Sequence, residues 1–164
     1  MTVIASTESS SPPSYTLLVG SMTGTAEFVA EEIGFALEQS GCTVEQMDMY
    51  DLTSAVFQRP GRFIICSSTY GTGDVPDNAQ AFFDSLSKEK PDLSAVEYAV
   101  FALGDHGYRD TFCFGGRRFD ALLQSLGATR LVDTFLHDAA GNTLPEVDCL
   151  DWIKPLQSAV VIKV

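Results

Sequence analysis

Two stretches of this 164-residue chain have almost no polar face, Phe63-Ile64-Ile65-Cys66 and Tyr98-Ala99-Val100-Phe101-Ala102-Leu103. A strand with one solvated face alternates apolar and polar residues. A run without that alternation belongs to a strand covered on both faces, as in a parallel sheet with helices on either side. The rest of the chain supplies such elements in alternation. Residues 15–20 read as a strand, and a helix follows with Ala26, Val29, Ala30, Ile33, Ala36 and Leu37 close to the spacing of a one-sided helix. Gly41 stops that helix, and residues 43–47 read as a short strand. Residues 51–57 are weakly helical, ending at Pro60-Gly61. A helix with Pro76 in its first turn carries Ala79, Phe82, Phe83 and Leu86 on one stripe; another carries Phe119, Leu122, Leu123 and Leu126 and stops at Gly127. Residues 131–136 read as the last strand and 147–153 as the last helix, broken at Pro155. The expectation is an α/β fold, a doubly wound five-stranded parallel sheet with helices on both faces.

Charge narrows the partners. Ten Lys and Arg against 22 Asp and Glu give a formal net charge of −12 and a pI near 4.3. Such a surface repels nucleic acid and anionic membranes and favours a partner with a basic face. Cys42, Cys66, Cys113 and Cys149 show neither CxxC nor Cys/His spacing. That argues against zinc, any other metal site or a disulfide scaffold, and suits a reducing, cytoplasmic setting. Residues 1–14, rich in Ser, Thr and Pro, have no signal-peptide pattern and are expected to form a disordered tail; residues 15–164 are expected to form a single domain. No apolar stretch is long enough to cross a membrane.

In doubly wound sheets ligands sit beyond the carboxyl ends of the strands. Three loops of unusual composition leave such ends: residues 21–27, 68–74 and 104–113. The first, Ser21-Met22-Thr23-Gly24-Thr25-Ala26-Glu27, opens a helix and offers three hydroxyls and several backbone donors. Taken alone it reads equally as a βα turn with capping hydroxyls or as a phosphate site. It lacks the lysine of a P-loop and the G-x-G-x-x-G of a pyrophosphate site, so a single phosphate monoester fits it best. The other two loops each set a tyrosine beside glycine, Tyr70 before Gly71 and Tyr108 after Gly107. Singly, each reads as a loop aromatic packed on a helix. Together, on the edge that carries a phosphate loop, they read as two faces of a sandwich around a planar ring.

These loops resemble those of the flavodoxin family, including the flavodoxin-like domains of cytochrome P450 reductase and sulfite reductase. Ser21 to Glu27 resembles the phosphate loop S/T-x-T-G-x-x-E. Thr69-Tyr70-Gly71-Thr72-Gly73-Asp74 with Asp77-Asn78-Ala79 resembles T-Y-G-x-G-D…D-N-A, and Leu103-Gly104-Asp105-His106-Gly107-Tyr108 with Phe112-Cys113 resembles L-G-D-x-x-Y…F-C. The run from Tyr108 to Cys113 is especially similar to short-chain, MioC-type flavodoxins, and the last strand lacks the insertion of long-chain members. The resemblance spans about Tyr15 to Trp152. It implies a sheet of order 2-1-3-4-5 and bound FMN, with Ser21, Met22, Thr23, Gly24, Thr25 and Ala26 at the phosphate. Ser68, Thr69, Tyr70, Gly71, Thr72 and Gly73 would line one side of the isoalloxazine. Leu103, Gly104, Asp105, His106, Gly107, Tyr108, Phe112 and Cys113 would line the other. The third loop is one residue longer than in the diflavin reductases, and their aspartate after the last strand matches Asp138 only loosely.

The implied role is one-electron transfer from a basic-faced, NAD(P)H-dependent flavodoxin reductase to an acceptor, by a monomer with no catalytic residues of its own. Stacked rings and the carboxylates of Asp74, Asp105 and Asp110 would disfavour an anionic reduced flavin. The peptide after Gly71 would turn its carbonyl toward flavin N5–H on half-reduction, a change that glycine permits at low cost. Cys113 is expected to pack at a helix start beside the flavin, His106 and Arg109 to be loop residues, and Trp152 to be packing. The rival enzymatic reading is an FMN-dependent NAD(P)H quinone or azo reductase, for which no loop marks a nicotinamide pocket. A phospho-receiver module would need an acidic cluster ending the early strands and a lysine after a later one, and neither is present.

Overall fold

The computed structural model describes residues 13–21, 24–69, 75–105 and 112–157. In chain order the elements are β1 (Ser14–Gly20), α1 (Thr25–Gln39), β2 (Thr43–Asp48), two 3₁₀ turns (Met49–Asp51 and Ser54–Gln58), β3 (Arg62–Ser67), α2 (Asp77–Glu89), β4 (Glu97–Gly104), α3 (Phe114–Ser125), β5 (Thr129–Arg130), β6 (Phe135–Asp138) and α4 (Pro145–Trp152). The strand order is β2-β1-β3-β4-β5, with β6 also paired to β4, and every pairing is parallel. This is the doubly wound arrangement expected from the alternation.

Successive residues of the three central strands feed opposite faces of the sheet. Leu18, Phe63, Ile65, Tyr98 and Val100 join Phe82, Leu86, Phe119 and Leu123 from α2 and α3. Leu17, Val19, Ile64, Cys66, Ala99 and Phe101 join Val29, Ile33 and Leu37 of α1 and Cys149 and Ile153 at the end of the chain. The apolar runs are continuous because they fill two cores at once. On the first face Phe57, Phe63, Phe82 and Phe119 form a chain of rings with centroid separations of 4.9 to 6.1 Å.

The structure departs from the sequence expectations at the far edge. The strand expected over residues 131–136 is two short pieces, β5 and β6, separated by residues 131–134. Contacts reach the break from each side of the sheet. Asp120 of α3 accepts from Arg130 Nη1 (2.7 Å) and Thr134 Oγ1 (3.0 Å), while the Asp133 carbonyl takes the indole N–H of Trp152 (3.0 Å). These ties fall at Arg130, Asp133 and Thr134, and within the segment Leu131 N–H still donates to the Tyr98 carbonyl at 2.7 Å. Trp152 also packs edge-on to Phe101, 5.4 Å between centroids. Pro155 does not end the helical path. A further helical turn spans residues 154–157, with Pro155 early in it, where its missing N–H removes no intrahelical bond. At the other end, β1 starts one residue earlier than expected, and the Pro13 carbonyl accepts from Thr43 N–H at 2.8 Å.

All four cysteines are free and buried. Burial pushes the Cys113 and Cys149 thiols up to about 12, and that of Cys66 higher still; Arg117 opposes and Asp138 adds to the effect at Cys113, acidic neighbours add to it at Cys149, and Cys149 adds to it at Cys66. The folded protein therefore holds these protons more tightly than the unfolded chain. Their contribution to stability is complete below the ordinary thiol range and declines as pH rises from that range toward 12. A thiol reagent at pH about 8, just below the ordinary thiol range, is expected to leave Cys66, Cys113 and Cys149 unlabelled in the native protein and to label them after denaturation, as read by mass spectrometry. Phe82→Ala is expected to cost about 3–5 kcal/mol by removing the middle ring of the aromatic chain, measurable by urea denaturation.

Candidate functional site

Parallel register brings three strand ends to one edge. Gly20 pairs with Ser67, Ser67 pairs with Ala102, and two residues further on Gly104 pairs with Asp138 of β6. The first loop leaves from Gly20, where a Cβ would stand 3.1 Å from Ala79 Cβ and 3.2 Å from Met49 Sδ, so glycine suits the crowding there. The next residue is gripped from outside. Ser21 N–H donates to Asn78 Oδ1 at 3.0 Å, and Asn78 Nδ2 donates to both carboxylate oxygens of Asp48, at 3.0 and 3.1 Å. Asp48 also accepts from Tyr50 N–H at 2.8 Å. Ser21 Oγ in turn accepts from Gly24 N–H at 2.8 Å, which leaves the serine hydroxyl proton available to donate.

Gly24, at φ 93°, is the N-cap of α1 and has no side chain with which to cap it. Among the described residues a Cβ there would meet nothing within 4 Å. A helix N-terminus with a serine hydroxyl beside it and no lysine or arginine in residues 21–27 offers an anion neutral donors and the helix dipole. Thr25 is exposed at the first turn and Ala26 is buried beneath it. Met22 and Thr23 lie outside the described residues.

The second and third loops are clasped together. Ser68 N–H donates to the Gly20 carbonyl at 2.9 Å, tying the second loop to the first. Thr69 Oγ1 donates to the Leu103 carbonyl at 3.0 Å and accepts from Gly115 N–H at 2.9 Å, tying the second loop to the end of β4 and the start of α3. The approach is very close: a Cβ on Gly115 would stand 2.0 Å from the Ser68 carbonyl oxygen, and one on Gly104 would stand 2.5 Å from Cys113 N. Cys113 is the N-cap of α3 in the left-handed region, φ 58°, a strained setting for a residue with a side chain. Its buried thiol points at the Ala102 and His137 carbonyls, at 3.6 and 3.4 Å. That is the packing at a helix start expected of it, and the burial that pushes its thiol up to about 12 disfavours the thiolate at neutral pH.

Leu103 is buried, Gly104 and Phe112 are half-buried, and Asp105 is exposed on the same edge. Tyr70, Gly71, Thr72, Gly73 and Asp74 lie outside the described residues, as do His106, Gly107, Tyr108, Arg109, Asp110 and Thr111. The ring-stacking and carbonyl-turning expectations rest on those positions.

The structure adds residues that sequence reasoning did not assign to the site. Asp138 is in register with Gly104, and the adjacent Ala139 N–H donates to the Gly104 carbonyl at 2.8 Å. Asp138 is the last residue of β6, which runs two residues beyond the strand expected over 131–136. Asn78 lies within a quoted motif, but its contact with Ser21 joins residues 57 apart in sequence. Asp48 carries no motif at all. His137, buried on β6, places Nδ1 3.0 Å from Asp148 Oδ2, which also accepts from Thr143 Oγ1 at 2.7 Å.

Among the described residues no group of His, Cys, Asp and Glu is placed to hold a metal, and no helix is long and apolar enough to cross a membrane. The Flavodoxin family profile matches residues 17–152. The chain is 36% identical over 141 residues to protein MioC of Escherichia coli (strain K12), covering 84% of this chain and 92% of that one. It is 39% identical over 146 residues to NADPH–cytochrome P450 reductase of Bos taurus, covering 86% of this chain but only 21% of that much longer protein. A cysteine-to-alanine mutant of flavodoxin from Pseudomonas aeruginosa superposes with a TM-score of 0.77 at 29% identity, over 90% of this chain and 98% of that one. Fold, loop order and likeness agree: the chain belongs to the flavodoxin family, as an electron-transfer protein whose cofactor is FMN.

Proposed function

We propose that this protein passes single electrons from a basic-faced, NAD(P)H-dependent reductase to an acceptor enzyme, as a cytoplasmic monomer. The observation that supports the site assignment is the start of α1 at a left-handed Gly24, with the Ser21 hydroxyl held beside it by the Gly24 N–H. FMN, when bound, supplies the one-electron chemistry; the chain supplies the cradle. In this reading Ser21, Met22, Thr23, Gly24, Thr25 and Ala26 hold the phosphate by neutral donors and the helix dipole. The loops starting at Ser68 and Leu103 flank the ring system, with Tyr70 and Tyr108 as its stacking partners. Thr69 fixes the spacing of those two walls, since its hydroxyl joins the Leu103 carbonyl to Gly115 N–H. The exposed carboxylate of Asp105 and the nearby Asp138 add negative charge on the same edge, which suits a cationic partner face and disfavours an anionic reduced ring.

Three measurements test this. Apoprotein titrated with flavin, followed by fluorescence quenching, is expected to bind FMN roughly tenfold or more tightly than riboflavin, the difference reporting the phosphate contacts. Equal affinities would remove the phosphate assignment. Thr69→Val should weaken FMN and riboflavin alike, since it strands Gly115 N–H at a cost of about 1–3 kcal/mol, and Thr69→Ser should restore both. Reduction of a basic redox protein such as ferricytochrome c should slow steeply with added salt. A flat salt response would sink the steering role, and rapid steady-state NADPH oxidation with a quinone would favour the quinone-reductase reading instead.

A further inference from the structure

Asn78 and Asp48 reach the first loop from two other elements, and their chemistry fixes how they do so. Asp48 ends β2, Asn78 lies in the first turn of α2, and Ser21 follows β1. An ionised carboxylate accepts only and a backbone N–H donates only, so the amide between them has a single satisfactory orientation: Oδ1 toward Ser21 N–H and Nδ2 toward Asp48. Tyr50 N–H holds the carboxylate from the other side. The link therefore runs from Asp48 through Asn78 to the Ser21 backbone, and from Ser21 Oγ to Gly24 N–H at the start of α1. A neutral amide also stands between the Asp48 carboxylate and the Ser21 backbone.

We propose that Asn78 and Asp48 are positioning residues for the phosphate loop, holding Ser21 in the pose that makes the chain prefer a phosphorylated flavin over riboflavin. The inference rests on the reading of residues 21–26 as the phosphate loop. Neither residue need touch the cofactor. Asn78 orients the donor loop, and Asp48 sets the amide of Asn78. A residue that merely supported the fold would affect both flavins equally, because riboflavin and FMN share the ring and differ at the phosphate.

The test is flavin titration of the apoproteins of Asn78→Ala, Asn78→Asp, Asp48→Ala and Asp48→Asn, each with FMN and with riboflavin, beside thermal melts. Asn78→Ala should weaken FMN about three- to tenfold while riboflavin stays within about twofold of wild type. Asn78→Asp should weaken FMN further, since it sets a second carboxylate against Asp48 and beside the phosphate. Asp48→Ala should act in the same direction as Asn78→Ala but less, and Asp48→Asn should recover most of the loss, because an amide oxygen can still accept from Asn78 and Tyr50. Parallel losses of FMN and riboflavin, or an unchanged ratio in Asn78→Ala, would overturn the inference. Wild-type protein with equal affinities would overturn the phosphate-loop reading and this inference with it. Discrimination intact in wild type and unaltered in all four variants would overturn the inference alone. If Asn78→Ala fails to fold, Asp48→Ala against Asp48→Asn decides by the same ratio.

Discussion

Everything at the site depends on the parallel register of β1, β3 and β4. Gly20, Ser67 and Ala102 lie in one cross-strand row, so the loops that leave these strands emerge on one edge. Register in a sheet buried on both faces is set by packing. A one-residue slip would send Leu17, Ile64 and Ala99 to the opposite core, exchanging them with Leu18, Ile65 and Val100. The hydrophobic effect thus fixes the relative height of three polar loops that contribute little to it themselves. The Ser68 N–H to Gly20 carbonyl bond and the two bonds of Thr69 then set distances that register alone leaves loose.

Close backbone approach is the second theme. Gly104 and Gly115 stand where a side chain would collide with Cys113 and with the Ser68 carbonyl. Such tight contact lets the two walls share hydrogen bonds, and it is also where the chain accepts strain, at Cys113 with φ 58°. The buried thiol, directed at two carbonyls, suits this position because cysteine is small, apolar and a weak donor. Acidity acts at longer range. With a net charge of −12, the field around the molecule favours cationic over anionic partners, while residues 21–27 carry hydroxyls and a helix start but no lysine or arginine.

The alternation of elements was legible in the sequence because two uninterrupted apolar runs admit few other architectures, and the apolar stripes of Phe82 and Phe119 sit where their spacing puts them. That the strand ends Gly20, Ser67 and Gly104 share one edge was legible because the alternation of elements implies parallel strands. The split last strand was not legible. Residues 131–136 have good strand composition, and the contacts at the break come from Asp120 and Trp152, which reach in from helices on opposite faces.

Composition, periodicity and short contiguous motifs are enough to give the doubly wound fold, the acidic surface and the family, because each is a local or summed property of the chain. What holds Ser21 in place emerges only on folding. Asp48, Asn78 and Ser21 are far apart along the chain, and their contact exists because β2, α2 and β1 meet at a common corner. A polar side chain gives no sign in the sequence of which distant backbone N–H it will satisfy; that choice is made when the sheet closes on its helices and the remaining donors must find acceptors.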